Sequence, residues 1–330
     1  MKAIQLIAPD KLVLAELPSR PLVDRELRVR VVASCICGSD IKNVKSPVLL
    51  PQTPGHEFSG TVLEVAPGSD GRVRVGDRVT AFPMIACMKC AACEKENYRD
   101  CDAKKSLGFQ LPGSFAEEVI FDERFAVPLR KAISYEQGAL LEHLCCGYRL
   151  AKELVVSQPA RDAQIVIVGD GPIALADVQA LIAHGYRNIT LLGKHPARMA
   201  LASQFGATVM PAEASIFALI DVCILAAPAD STLSRLLPAM GEGSKVFPQT
   251  RIHDPQMLER MKASGIGLGR AFAYAMQDFE DVMSWIEEGK LVTSPLITTR
   301  VNLRELPEKF RSFVEKKGHI KVLVVAGGGD

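Results

Sequence analysis

Between Ala163 and Gln249 the chain alternates short apolar runs with helix-forming stretches, a rhythm that few folds accommodate. AQIVIVGDG is a buried strand running into a glycine turn. PIALADVQALIAHGY follows as a helix, with Pro172 suited to its first turn. NITLLG and PARMALASQFG repeat the strand and the helix; LIDVCILAAP is a third strand, STLSRLLPAM a helix and SKVFPQ a further strand. Parallel strands need long crossovers, most often helices, so this alternation predicts an α/β doubly wound parallel sheet.

The flanking sequence has a different texture. Residues 1–130 show valine-rich alternation broken by Gly and Pro, as in LRVRVVAS (27–34), FSGTVLEVA (58–66) and DRVTAFP (77–83), which predicts a small β-rich body. SYEQGALLEHLCCGYRLAKELVV then reads as a helix, with Ser134 and Gln137 spaced as a capping box. Near the end DFEDVMSWIEEGKL is amphipathic, KVLVVA is a short strand, and the terminal GGGD is expected to be disordered. We therefore expect a β-rich domain made of residues 1–148 and 273–330, and a doubly wound domain at 149–272.

A chain of 330 residues, 48% of them hydrophobic, suits two globular domains with real cores. The formal net charge of +1 and the lack of a long block of one sign remove any electrostatic case for nucleic acid or a membrane surface. No apolar run reaches the ~18 residues of a membrane span. MKAIQLIAPDKLVLAELP lacks the order of a secretory signal, so a cytoplasmic location is expected.

Four of the nine cysteines, Cys87, Cys90, Cys93 and Cys101, follow C-x2-C-x2-C-x7-C. Four thiolates so spaced can surround one tetrahedral ion, and Lys89, Lys95, Arg99, Lys104 and Lys105 lie near to offset its charge. A closed structural zinc is the expectation; disulfides, free thiols and an iron–sulfur cluster are the weaker readings. A second donor set is Cys37 in CICGSD, His56 and Glu57 in TPGHEFSG, and Glu142 in EHLCCGY. One thiolate, one imidazole and one or two carboxylates make a zinc site with a coordination position to spare.

Gly169, Gly171, Pro172 and Ile173 belong to a G-x-G-x-x-A turn between a strand and a helix. Such a turn lets a pyrophosphate approach the backbone and meet a helix N-terminus. The next strand ends in Gly193, Lys194 and His195, with Arg198 following. No acid stands there to accept from a ribose 2′-hydroxyl, and three cationic groups cluster, so NADP(H) is favoured over NAD(H).

CGSD, GHEFSG, GDRV, the four-cysteine loop and the glycine turn occur in this order. Together they resemble the medium-chain zinc-dependent alcohol dehydrogenase family over nearly the whole chain. The closer likeness is to its sorbitol, threonine and polyol-phosphate dehydrogenase branch. The resemblance implies a GroES-like catalytic domain beside a Rossmann domain. It implies two zinc ions per chain: a structural one on Cys87, Cys90, Cys93 and Cys101, and a catalytic one on Cys37 and His56. Glu57 and Glu142 would be alternating or water-linked carboxylate ligands of the catalytic ion. Glu142 stands where the Cys2His members place a cysteine, although Cys145 and Cys146 are close by. Ser39 matches the hydroxyl that passes the substrate proton, while zinc polarises the substrate oxygen and hydride moves to the nicotinamide.

Lys42 stands where many relatives have His. It would carry a proton only if burial or a neighbouring cation favoured its neutral form. Alternatively Lys42 and Lys45 hold an anionic substrate group such as a phosphate. The stretch from Ala207 to Asp221 is short for the family, so one helix of the doubly wound sheet is expected to be trimmed. The implied substrate is a polar alcohol or ketone, and the implied assembly a homodimer or homotetramer. Competing readings are an NAD-linked polyol or threonine-like dehydrogenase and a non-catalytic NADP(H)-binding member. A zinc-finger-like nucleic-acid binder is disfavoured by the near-neutral charge.

Overall fold

The computed structural model describes residues 1–157, 159–215, 218–271, 273–315 and 318–326; the terminal GGGD lies outside them. The chain forms two units. One comprises Met1–Glu142, Ala275–Glu287 and Leu296–Asp330, the other His143–Tyr274 and Glu288–Pro295.

The first unit opens with an antiparallel pair, β1 (Lys2–Ala8) and β2 (Lys11–Glu16). Then come β3 (Glu26–Cys35), α1 (Gly38–Lys45), β4 (Glu57–Val65) and β5 (Arg78–Ala81). The four-cysteine loop lies between two short paired strands, β6 (Met84–Ile85) and β7 (Lys105–Ser106), and contains a single turn, α2 (Ala91–Glu94). After β8 (Glu118–Asp122) and β9 (Ala126–Pro128) comes α3 (Tyr135–Val156). Its capping box is present: Ser134 N donates to Gln137 Oε1 at 2.9 Å, and Gln137 N to Ser134 Oγ at 3.2 Å.

In the second unit β10 (Ile165–Val168), α4 (Pro172–Ala183), β11 (Ile189–Gly193), α5 (Pro196–Gln204) and β12 (Thr208–Pro211) are followed by β13 (Ile220–Leu225) and α6 (Asp230–Leu236). The run continues through β14 (Met240–Pro248), α7 (Pro255–Ala263) and β15 (Gly267–Leu268). The six strands form one parallel sheet in the order β12-β11-β10-β13-β14-β15. Strand order reverses beside β10, as it does in a doubly wound sheet. LIDVCILAAP is thus the fourth strand, not the third. β12 escapes notice because it is a sheet edge whose four residues are exposed or only half-buried. Between β12 and β13 the described residues 212–215 and 218–219 carry no helix.

Polar groups inside this unit leave a measurable mark. Asp177 on α4 is fully buried and receives one hydrogen bond, from Gln249 Nε2 at 2.9 Å. Burial pushes its carboxyl up to about 8, with the Gln249 bond opposing. An acid raised above its unfolded value keeps its proton in the native state while the unfolded chain has lost it. Stability therefore falls as pH rises from about 4 to about 8. Asp177→Asn removes this dependence and is expected to stabilise by about 2–5 kcal/mol at pH 8, with little change near pH 4. Unfolding of both proteins at the two pH values checks this; an equal difference at both would contradict it.

The chain re-enters the first unit through α8 (Asp278–Glu287), β16 (Ile297–Asn302), α9 (Leu306–Glu315) and β17 (Lys321–Val325). Its main sheet runs β16-β17-β3-β4-β5-β9, with β8 also paired to β3. Leu27, Val29 and Val31 on β3 alternate into a core with Phe58 and Val62 on β4 and Phe121 on β8. At the end of β3, Cys35 sits opposite Glu57 of β4 on one side and Leu323 of β17 on the other. Among the described residues no helix is long and apolar enough to cross a membrane.

Candidate metal centres and dinucleotide turn

The Cys35–Glu57 register carries the first centre. Cys37 follows the end of β3 and precedes α1, and His56 immediately precedes β4, so the pairing sets them side by side. One donor atom each from Cys37, His56 and Glu57 lies within 4.8 Å of the others. Ligands of one tetrahedral zinc stand about 3.5 Å apart, so a small inward adjustment suffices. His56 and Glu57 are buried; Cys37 is half-buried.

Asp40, fully buried on α1, ties the centre together. Its Oδ2 accepts from Cys37 N at 2.9 Å, its Oδ1 accepts from Gly55 N at 3.2 Å, and Oδ1 lies 3.3 Å from His56 Nδ1. A carboxylate beside Nδ1 places the ring proton there and leaves the Nε2 lone pair for a cation. Burial alone would lower the His56 pKa, but the charge and hydrogen bond of Asp40, with Cys37, raise it well above the ordinary value. Gly55 is required where it stands. Its φ is +99°, and a Cβ would meet Phe115 Cδ1 at 2.7 Å and Ser114 Oγ at 2.8 Å.

Glu57 is also committed elsewhere. Lys321 Nζ, buried on β17, donates to Glu57 Oε1 at 2.6 Å and Oε2 at 2.5 Å. The pair neutralises its own charge, so Glu57 has less to offer an ion than Cys37 and His56. Ser39 Oγ lies 3.3 Å from His56 Nε2, at the centre. Glu142, buried on α3, is not in this donor group. Lys42 is exposed in the last turn of α1, without the burial that would favour a neutral amine. Sequence reasoning misses Asp40 and Lys321. The Asp three residues after Cys37, in C-G-S-D, is a readable capping signal; the Lys321 contact spans 264 positions and has none.

The second centre gathers all four cysteines of the loop, with donor sulfurs within 4.8 Å of one another. Cys90 Sγ and Cys93 Sγ are 3.5 Å apart, and Cys87 Sγ and Cys93 Sγ are 3.9 Å apart. Thiolates on one zinc stand about 3.8 Å apart, whereas a disulfide would be near 2 Å, so the cluster fits the ion. Cys87 N donates to Cys101 Sγ at 3.4 Å, and Lys104 Nζ donates to the Cys101 carbonyl at 3.2 Å. Desolvation and the adjacent Cys90 push the Cys93 thiol up to about 11, a resistance to ionisation that a cation among the sulfurs reverses.

In the second unit Gly169 has φ +116° and Gly171 caps α4 without a side chain. A Cβ at Gly171 would meet nothing within 4 Å, so the turn keeps open space before the helix N-terminus led by Pro172 and Ile173. This suits a pyrophosphate. The end of β11 differs from the sequence expectation. The carboxylate of Asp170 reaches it from the glycine turn: Lys194 N and His195 N donate to Oδ2 at 2.7 and 2.6 Å, and His195 Nδ1 lies 2.9 Å from Oδ1. Arg198 Nη1 is 3.9 Å from Oδ1. Burial would raise the Asp170 pKa, but His195 and the two backbone N–H groups outweigh it and lower the value.

Residues 23–131 match the alcohol dehydrogenase GroES-like domain. The chain is 30% identical over 184 residues to galactitol 1-phosphate 5-dehydrogenase of Escherichia coli (strain K12), covering 55% of this chain and about half, 52%, of that protein. It is 29% identical over 320 residues to sorbitol dehydrogenase of Halalkalibacterium halodurans, covering 91% of each. Its fold matches alcohol dehydrogenase TADH of Thermus sp. ATN1 with a TM-score of 0.87 at 22% identity, over 98% of this chain and 99% of that one. The GroES-like sheet and the doubly wound sheet of this chain agree with these likenesses to zinc-type alcohol and polyol dehydrogenases.

Proposed function

We propose that the protein is a zinc-dependent dehydrogenase that interconverts a polar secondary alcohol, of the polyol, sugar or cyclitol kind, with its ketone, using a nicotinamide dinucleotide. The observation that carries this is the Cys37–His56–Glu57 donor group backed by Asp40. Residues 1–148 and 273–330 would form the catalytic domain and 149–272 the coenzyme domain, in a cytoplasmic homodimer or homotetramer with two zinc ions per chain.

When bound, zinc would supply Lewis acidity toward the hydroxyl oxygen and the nicotinamide dinucleotide a hydride acceptor. The chain's own residues do the rest. Cys37 and His56 would hold the ion, and Asp40, beside Nδ1, would keep the imidazole in the ligating tautomer. Ser39 Oγ, 3.3 Å from His56 Nε2, would accept the substrate hydroxyl proton while releasing its own proton to solvent water. Lys42 and Lys45, both exposed on α1, favour a phosphorylated substrate as a second reading. For the cofactor, Lys194, His195 and Arg198 favour NADP(H), while Asp170 among them favours NAD(H).

A panel of polyols, sugar phosphates and amino alcohols, followed by absorbance of the reduced nicotinamide, tests the proposal. Turnover on at least one of them, lost to a zinc chelator and restored by zinc, is expected. Turnover that survives complete removal of zinc would contradict it.

A further inference from the structure

We infer that Asp170 makes the coenzyme site selective for NAD(H), by presenting a carboxylate at the end of β11 where the adenosine ribose 2′ position is read. This rests on the glycine turn being a dinucleotide site. In such folds the residue that reads the ribose usually stands at the end of the second strand itself. Here that strand ends in Gly193-Lys194-His195 and carries no acid. The acid comes from the middle of Gly169-Asp170-Gly171, 24 and 25 positions earlier than its partners Lys194 and His195.

Three features show that this placement is built into the site. Asp170 is buried, with 6% exposure, and its two oxygens are held by two backbone N–H groups and the His195 ring. Gly193 leaves room for it: a Cβ there would lie 3.0 Å from both Asp170 Cβ and Asp170 Oδ2. Finally, the His195 ring and the backbone N–H groups of Lys194 and His195 are already turned on Asp170, with Arg198 Nη1 3.9 Å away as well. A phosphate would bring up to two negative charges against this held carboxylate and compete for the same N–H groups. A 2′-hydroxyl carries no charge. With its Nδ1 proton directed to Asp170, His195 has Nε2 as an acceptor for that hydroxyl.

Asp170 therefore compensates His195 and Arg198, two members of the cationic cluster that made NADP(H) attractive in the sequence. Calorimetric titration of the intact protein with NADH and with NADPH, for the wild type, Asp170→Asn and Asp170→Ala, tests this. Asn keeps an acceptor for the backbone N–H groups and loses the charge, so it guards against misfolding. The wild type is expected to bind NADH at least about tenfold more tightly than NADPH. Both variants are expected to narrow the ratio to about threefold or less, chiefly by gaining NADPH affinity. Equal or tighter binding of NADPH by the wild type overturns the inference, as does an unchanged ratio in folded Asp170→Asn. Binding of neither dinucleotide overturns the reading of the glycine turn itself, and this inference with it.

Discussion

Replacing Cys37 with alanine is expected to lower kcat/KM for the best alcohol by about 10⁴-fold, with the fold retained. Polarising the substrate oxygen contributes several kcal/mol to the barrier, and each 1.36 kcal/mol is about a factor of ten. Of the three donors in the group, Glu57 is held by Lys321 on both oxygens, which leaves the Cys37 sulfur and His56 Nε2 to hold the ion. His56→Ala should cost as much, and the double variant little more, because either change alone empties the centre. Asp40 acts through its neighbours as a positioning residue, so Asp40→Asn should weaken zinc affinity by about 10–100-fold and recover activity as zinc is raised. Steady-state kinetics with added zinc separates these cases. Retention of more than about a tenth of wild-type activity by Cys37→Ala would contradict the assignment.

Cys93→Ser is expected to act on stability instead. Cys93 is buried at the middle of the four-cysteine cluster, 3.5 Å from Cys90 Sγ and 3.9 Å from Cys87 Sγ. Between β6 and β7 little regular structure other than the single turn α2 and a short 3-10 turn at Tyr98–Asp100 orders the loop. The folding energy of such a loop comes largely from the ion, and structural zinc binding runs to about 10 kcal/mol or more in small domains. Allowing for the rest of the domain, a loss on the order of 5 kcal/mol, or about 10–20 °C in thermal midpoint, is expected. Proteolysis should then cut first between residues 87 and 101. A midpoint within about 2 °C of the wild type, with zinc content unchanged, would contradict the structural role.

The sequence disclosed most where a local pattern decides structure. Strands β3, β4, β10 and β13 carry apolar runs because their faces are buried, and the capping box of α3 is a contact over three residues. The four loop cysteines stand out by their close spacing, and Cys37 and His56 by the CGSD and GHEFSG motifs that carry the resemblance. What stayed hidden is polar and distant. β15 has two residues and little pattern to read. Lys321 meets Glu57 only through the register of β17 on β3, and Asp170 reaches β11 only through the parallel pairing of β10 with β11. Buried charges of this kind are placed by tertiary structure, and no periodicity announces them. That is why the cofactor preference read from Lys194, His195 and Arg198 took no account of Asp170, which the fold sets among them.

Zinc content per chain, measured for the purified wild type and for Cys37→Ala, bears most directly on the open metal centre. Two ions in the wild type and one in the variant are the expected values, since the variant keeps Cys87, Cys90, Cys93 and Cys101. A single ion in both proteins would leave Cys37 and His56 without a metal and contradict the account.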